Sequence, residues 1–224
     1  MIPYTLIRSK RKTIALHIRN ATLEVRAPLR VGIHEIEQFI TSKMDWITDK
    51  LAQSAERIAN QKSFSLTYGS MVFYRGGSYP IIARDGKQSG FDGECFYIPP
   101  GLNPEQVKAI CMQIYSSLAK NHMPEQVWLY AKKMALMPTA VKINGAKSRW
   151  GSCSSKKSIN FSWRLMMAED DVIDYVIVHE LAHLREMNHS PRFWAIVESA
   201  LPDYRERKIK LKNFQKKLSI ENWN

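Results

Sequence analysis

Three histidines and one glutamate carry the clearest chemistry in the chain: His179-Glu180-Leu181-Ala182-His183, followed six residues later by His189. On an α-helix, positions i and i+4 lie one turn apart on nearly the same face, so His179 and His183 can direct imidazole nitrogens at one ion about 2.0–2.1 Å away. Glu180 then stands beside the metal. A carboxylate there can act as general base, taking a proton from water that zinc has acidified to a pKa of about 7. With the chain's own residue frequencies, H-E-x-x-H should arise by chance in roughly 1 in 100 such sequences, and the added histidine lowers this to about 1 in 4,000, so the pattern is read as a hydrolytic zinc site.

The flanking residues must put the motif on a helix and then end that helix. Val172, Ile173, Val176, Ile177, Leu181 and Leu184 form an apolar stripe at helical spacing, with Asp170 or Asp171 able to cap its start. A helix continued to residue 189 would carry that side chain about 120° around and roughly 9 Å along from His183, out of reach of the same ion. Asn188 offers a left-handed stop, and Ser190-Pro191 reads as N-cap and N1 of a new helix with Phe193, Trp194, Ile196 and Val197 inward. His189 is then on a tight corner, free to turn back as third ligand of one zinc per chain. Glu186, three residues after His183, is its rival.

Residues 147–214 resemble the YgjP-like metallopeptidase family. The match is carried by Lys147-Ser148-Arg149-Trp150-Gly151-Ser152-Cys153-Ser154, Ile159, Leu165, the run Asp174 to Leu184, Asn188-His189-Ser190 and Phe193-Trp194. Ile2 to Pro28 and Tyr68-Gly69, Gly77 and Tyr79 look like that family's amino-terminal half. The family is similar to the wider SprT/Spartan-like zinc proteases. The resemblance implies an α+β, zincin-like fold with His179, His183 and His189 as ligands and Glu180 as base. Metzincins share the histidine spacing, but they place glycine where this chain has Glu186, and no methionine follows Met187 to form a Met-turn.

The rest of the chain bounds the architecture. Its 224 residues, 45% hydrophobic, suffice for one large domain or two small ones with a real core. No apolar run is long enough to span a membrane, and the first residues lack a signal-peptide core, so a cytoplasmic protein is expected. Cys95, Cys111 and Cys153 are odd in number and form no C-x-x-C pair, which points to reduced thiols. Ile14 to Pro28 reads as a hairpin turning at Asn20-Ala21. A helix follows with apolar positions from Ile33 to Ile58, ending near Asn60, and then short strands between Phe64 and Ile98. Asn103-Pro104-Glu105 starts a helix that Pro124 breaks or offsets, with another reaching Met134. Met112, Met123, Met134 and Met137 look like core filler. Val141-Lys142-Ile143 and Ile159-Asn160-Phe161 read as strands joined around a Trp150-Gly151-Ser152 turn. The expected division is an amino-terminal α/β module over 1–100 and a mainly helical, zincin-like catalytic region over 101–224.

Substrate contacts follow by proximity to the motif. Arg149 and Trp150 lie on a loop that is either plain strand connection or the border of a cleft, where Arg149 could stabilise an oxyanion and the adjacent strand edge could bind an extended peptide. Tyr175, at i−4 from His179, either packs or polarises a carbonyl. A net charge of +12, with Arg205, Arg207, Lys208, Lys210, Lys212, Lys216 and Lys217 near one end and Arg8, Lys10, Arg11 and Lys12 near the other, raises nucleic acid as a partner beside a plain solvated helix face. The favoured function is zinc-dependent hydrolysis of peptide or protein substrates. The alternatives are hydrolysis of a nucleotide phosphoanhydride and nucleic-acid association with a mainly structural zinc. Three ligands plus a carboxylate argue against the structural site, and no glycine-rich phosphate loop supports the nucleotide reading.

Overall fold

Asn20 and Ala21 adopt φ of 49° and 55°, the left-handed pair that a two-residue hairpin turn requires. They join β2 (Ala15–Arg19) to β3 (Thr22–Pro28). A further strand, β1 (Tyr4–Ser9), which the apolar alternation from Ile14 onward does not reveal, pairs in parallel with β3 and sets the order β1-β3-β2. The helix expected from Ile33 to Asn60 is two helices, α1 (Ile33–Ser42) and α2 (Met44–Ser63), separated at Lys43. Thr41 and Ser42 turn their hydroxyls back onto the carbonyls of Glu37 and Phe39, a competition with backbone pairing that bends helices. Leu23, Val25 and Ala27 of β3 form one core with Ile36, Ile40 and Ile47.

The computed structural model describes residues 2–223. Contacts divide them into two compact units, one of residues 2–64 with 218–222 and the other of 65–217 with Trp223. Residues 65–100 thus group with the helices that follow, not with the amino-terminal module as a division at residue 100 would have it. The reason is apolar: Phe96 packs on Tyr115 at a centroid distance of 5.1 Å, and the Tyr115 hydroxyl donates to the Phe73 carbonyl.

In the second unit, β4 (Met71–Tyr74), β5 (Gly77–Ala83), β6 (Gly90–Phe91) and β7 (Phe96–Ile98) form a sheet of order β4-β5-β7-β6. Beside it runs α3 (Pro104–Met134), opened by a reciprocal capping box between Asn103 and Gln106. Pro124 neither breaks nor ends α3. The carbonyl its missing N–H leaves unbonded is that of Lys120, an exposed residue where water can serve instead. Met123 is buried core, whereas Met137 is 57% exposed and is not core filler.

The strands expected near Val141 and Phe161 are β8 (Ala140–Asn144) and β10 (Ser158–Ser162), and they pair in parallel. The segment expected as a turn is itself a strand, β9 (Gly151–Cys153), antiparallel to β10 and on the edge of the order β8-β10-β9. A 3-10 turn, Trp163–Met167, leads into α4 (Asp170–Ala182), then α5 (Pro191–Ala200) and α6 (Tyr204–Leu218). No helix among the described residues is long and apolar enough to cross a membrane.

Ala135 closes α3 in the left-handed region at φ 52°. That conformation costs a residue with a Cβ about 1–2 kcal/mol and costs glycine almost nothing. Ala135→Gly should therefore raise the unfolding free energy by up to about 1 kcal/mol after glycine's greater unfolded-state entropy is subtracted, as read from denaturant midpoints.

Candidate active site

Helix α4 is buried nearly all round: Val172, Ile173, Tyr175, Val176, Ile177, Val178, Leu181 and Ala182 are core residues, not one stripe. Its N-cap is Glu169, without a side-chain cap bond, so Asp170 and Asp171 occupy the first turn instead of capping it. There they complement the helix dipole and are held from outside. Arg75 makes a bidentate pair with Asp170 at 2.6 and 2.8 Å, and Lys210 reaches Glu169 at 2.9 Å and Asp171 at 2.7 Å. One turn on, Asp174 accepts from Tyr130 at 2.8 Å.

The far end of α4 stops earlier than Asn188. Leu184 N bonds to Leu181 O at 3.0 Å, and the N–H groups of Arg185 and Glu186 both bond to Ala182 O, so the last turn tightens and the helix ends at Ala182. Asn188 is not in the left-handed region. The second helix begins as expected, with Ser190 accepting from Phe193 N and Pro191 at N1.

This corner brings His179, His183 and His189 together, with one ligand nitrogen from each within 4.8 Å of the others. The Nε2 atoms of His179 and His189 are 3.1 Å apart. Two nitrogens bound to one zinc at 2.0–2.1 Å with a tetrahedral angle would stand roughly 3.3 Å apart, so the His179–His189 pair is spaced to share an ion and His183 lies within reach of it. His183 Nδ1 lies 3.0 Å from the Glu186 carbonyl. A carbonyl only accepts, so Nδ1 carries the proton and Nε2 keeps its lone pair for a metal. Glu186 therefore serves through its backbone, and its carboxylate is outside the group. His179 Nδ1 is buried without a hydrogen-bond partner among the described residues. Burial first, then His183, His189 and Lys208, push the His179 pKa down to about 3, leaving a neutral ring.

Aromatic packing fixes the ring planes. Phe193, fully buried, touches all three imidazoles at centroid distances of 4.6 to 4.9 Å, and Trp194 stacks on His189 at 5.7 Å. Tyr204 of α6 stacks in turn on Trp194 at 5.4 Å. The sequence places Phe193 and Trp194 on an inner helix face, but their contact with the histidines depends on how α5 leaves the corner.

Glu180 is 6% exposed, and burial, partly offset by Arg149, pushes its pKa up to about 7. A Cβ added at Gly151 would lie 2.6 Å from Glu180 Cγ and 2.7 Å from its Oε1. Edge strand β9 can thus reach the carboxylate only because position 151 is glycine. The signal was present in the sequence: an isolated glycine within strand-forming residues marks a close backbone approach. Arg149 is exposed on the same approach. Trp150 packs on Phe214 at 5.2 Å, while Tyr175 is buried edge-on to His179 at 5.9 Å with its pKa pushed up to about 12, chiefly by burial. Burial and Glu180 raise the Cys153 pKa as well, which keeps that thiol protonated. The basic run of α6 is not a uniform cationic face, for Arg205, Arg207 and Lys210 pair with Glu198, Asp203 and the acids of α4.

A helix with two inward histidines and a buried carboxylate, facing a strand edge, is the arrangement of a zincin-like metallopeptidase. The resemblance is general along the sequence: residues 12–214 match the model of the YgjP-like, metallopeptidase domain, and the chain belongs to the YgjP-like metallopeptidase family. No curated protein matches the chain. Among solved structures, the crystal structure of the metallopeptidase zymogen of Pyrococcus abyssi abylysin is similar over 44% of this chain and 96% of its own, at 24% identity and a TM-score of 0.39.

Each of His179→Ala, His183→Ala and His189→Ala should lose bound metal, whereas Glu186→Ala should keep it, since its carbonyl survives the substitution. Metal content of the purified variants decides between His189 and Glu186. A chelator should also lower the wild-type melting temperature, because a ligand bound only to the folded state stabilises it.

Proposed function

We propose that the protein is a zinc-dependent peptidase whose catalytic base is Glu180 and whose ligands are His179, His183 and His189. The observation that carries this reading is the placement of a buried carboxylate beside a three-histidine group and against the backbone of a free sheet edge. Bound there, zinc supplies a Lewis acid that polarises a carbonyl and acidifies water. Glu180, with a pKa of about 7, exchanges a proton at little cost near neutral pH: its carboxylate takes the proton of the attacking water and returns it to the leaving amine nitrogen.

The surrounding residues orient the substrate. The outer edge of β9 offers backbone donors and acceptors to an extended peptide, which would lie as an added strand beside Glu180. Burial raises the Tyr175 pKa, so its hydroxyl keeps a proton to donate, and the exposed Arg149 guanidinium is the alternative donor to the oxyanion that forms from the amide carbonyl. Trp150, held against Phe214, steadies the loop that carries Arg149. On this reading the catalytic region lies within residues 101–224.

Glu180→Gln is nearly isosteric and leaves the histidines in place. The variant should retain metal and lose peptide hydrolysis by about 10²–10⁴-fold, as expected for removal of a general base. The assay pairs an unbiased peptide library with a nucleotide panel. Cleavage of a nucleoside triphosphate by wild type, abolished in Glu180→Gln, with every peptide and unfolded protein left intact, would replace the peptidase reading by a phosphoanhydride hydrolase.

A further inference from the structure

The cations of α6 are of two kinds. Arg205, Arg207 and Lys210 are neutralised by acids at 2.6 to 2.9 Å. Lys208, exposed on the same helix, has no acidic partner among the described residues, and its Nζ stands 4.6 Å over the ring of Trp194. Trp194 is the ring stacked on His189, so the Lys208 charge is one side chain removed from the three-histidine group.

Arg149 is the counterpart on the β9 side. It too is exposed and forms no ion pair among the described residues, its charge acting on Glu180 without direct pairing, and it precedes by two positions the glycine that touches Glu180. Helix α6 connects the two places: Tyr204 stacks on Trp194 near its start, and Phe214 packs on Trp150, next to Arg149, near its end. Lys208 falls between those anchors, roughly 9 Å along the axis from Phe214. Lys208 thus lies next to the ring packed on His189 and Arg149 next to the strand that touches Glu180, whereas Arg205, Arg207 and Lys210 of α6 are held by acids.

We propose that Arg149 and Lys208 form a cationic rim that makes the site selective for peptides carrying an acidic side chain beside the scissile bond. The proposal rests on the peptidase reading above and adds to it the substrate's charge. Two unneutralised cations lower the free energy of a bound carboxylate and raise that of a bound lysine, and because both are exposed the discrimination weakens as salt screens them.

The test uses metal-loaded full-length protein and peptides matched except for Asp, Asn or Lys beside the cleaved bond. Wild type should prefer Asp over Asn by roughly three- to tenfold in kcat/KM at low salt, mainly through KM, with the preference shrinking as salt rises. Arg149→Gln combined with Lys208→Gln should bring the Asp/Asn ratio near one, and the two Glu substitutions should turn the preference toward Lys. Arg205→Gln, which removes a cation already paired with Glu198, should leave the ratio as in wild type. Metal content of each variant shows that the site is intact. Cleavage of all three peptides at equal rates by wild type, or an Asp preference that survives in the double Gln variant, overturns the rim while leaving the peptidase reading in place. Cleavage of no peptide by metal-loaded wild type overturns both.

Discussion

Keeping ionisable groups on a helix that is buried nearly all round is the free-energy problem around which this structure is organised. An isolated charge in a low-dielectric interior costs several kcal/mol unless it is paired, and such groups shift toward their neutral forms instead. Glu180 and His179 show this in opposite directions, the first raised to about 7 and the second lowered to about 3, each chiefly by burial. Both shifts leave the group less charged. The same environment presents uncharged imidazole nitrogens to a cation and holds a carboxyl near its midpoint at neutral pH.

The remaining elements make that helix tolerable. At its start the acids Glu169, Asp170 and Asp171 sit where the helix dipole favours them and where Arg75 and Lys210 bind them. Along its length β9 lies close enough to enclose Glu180, an approach that only Gly151 permits. At its end the tightened turn gives the Glu186 carbonyl to His183, and the Ser190 cap launches α5 so that Phe193 arrives among all three imidazoles. The stacking from His189 through Trp194 to Tyr204 then ties α6, a strongly charged surface helix, to the three-histidine group.

The grouping of the three histidines was legible because its signal is local. A helix fixes the i, i+4 relation of His179 and His183, and Ser190-Pro191 marks a new helix start a few residues on. The same local logic located the amino-terminal hairpin and the start of α3. It misplaced features that depend on tertiary context: Pro124 is tolerated where the carbonyl it leaves unbonded belongs to the exposed residue Lys120, which water can reach, and the helix after Ile33 is interrupted at Lys43 where hydroxyl groups compete for carbonyls. The parallel pairings of β1 with β3 and of β8 with β10 join distant residues and leave no mark in apolar alternation. Gly151 lies between these cases. From sequence it reads as part of a turn, and its partner, Glu180, is 29 positions away, so only the fold shows the close approach that its missing side chain allows.

X-ray absorption at the metal edge of the zinc-loaded protein tests the central claim most directly, because it reads donor type and distance at the ion itself. One zinc per chain is expected, with three imidazole nitrogens at about 2.0–2.1 Å, the remaining scattering from a light oxygen donor, and no sulfur shell. A sulfur donor near 2.3 Å, or a fit that requires only two imidazoles, would contradict it.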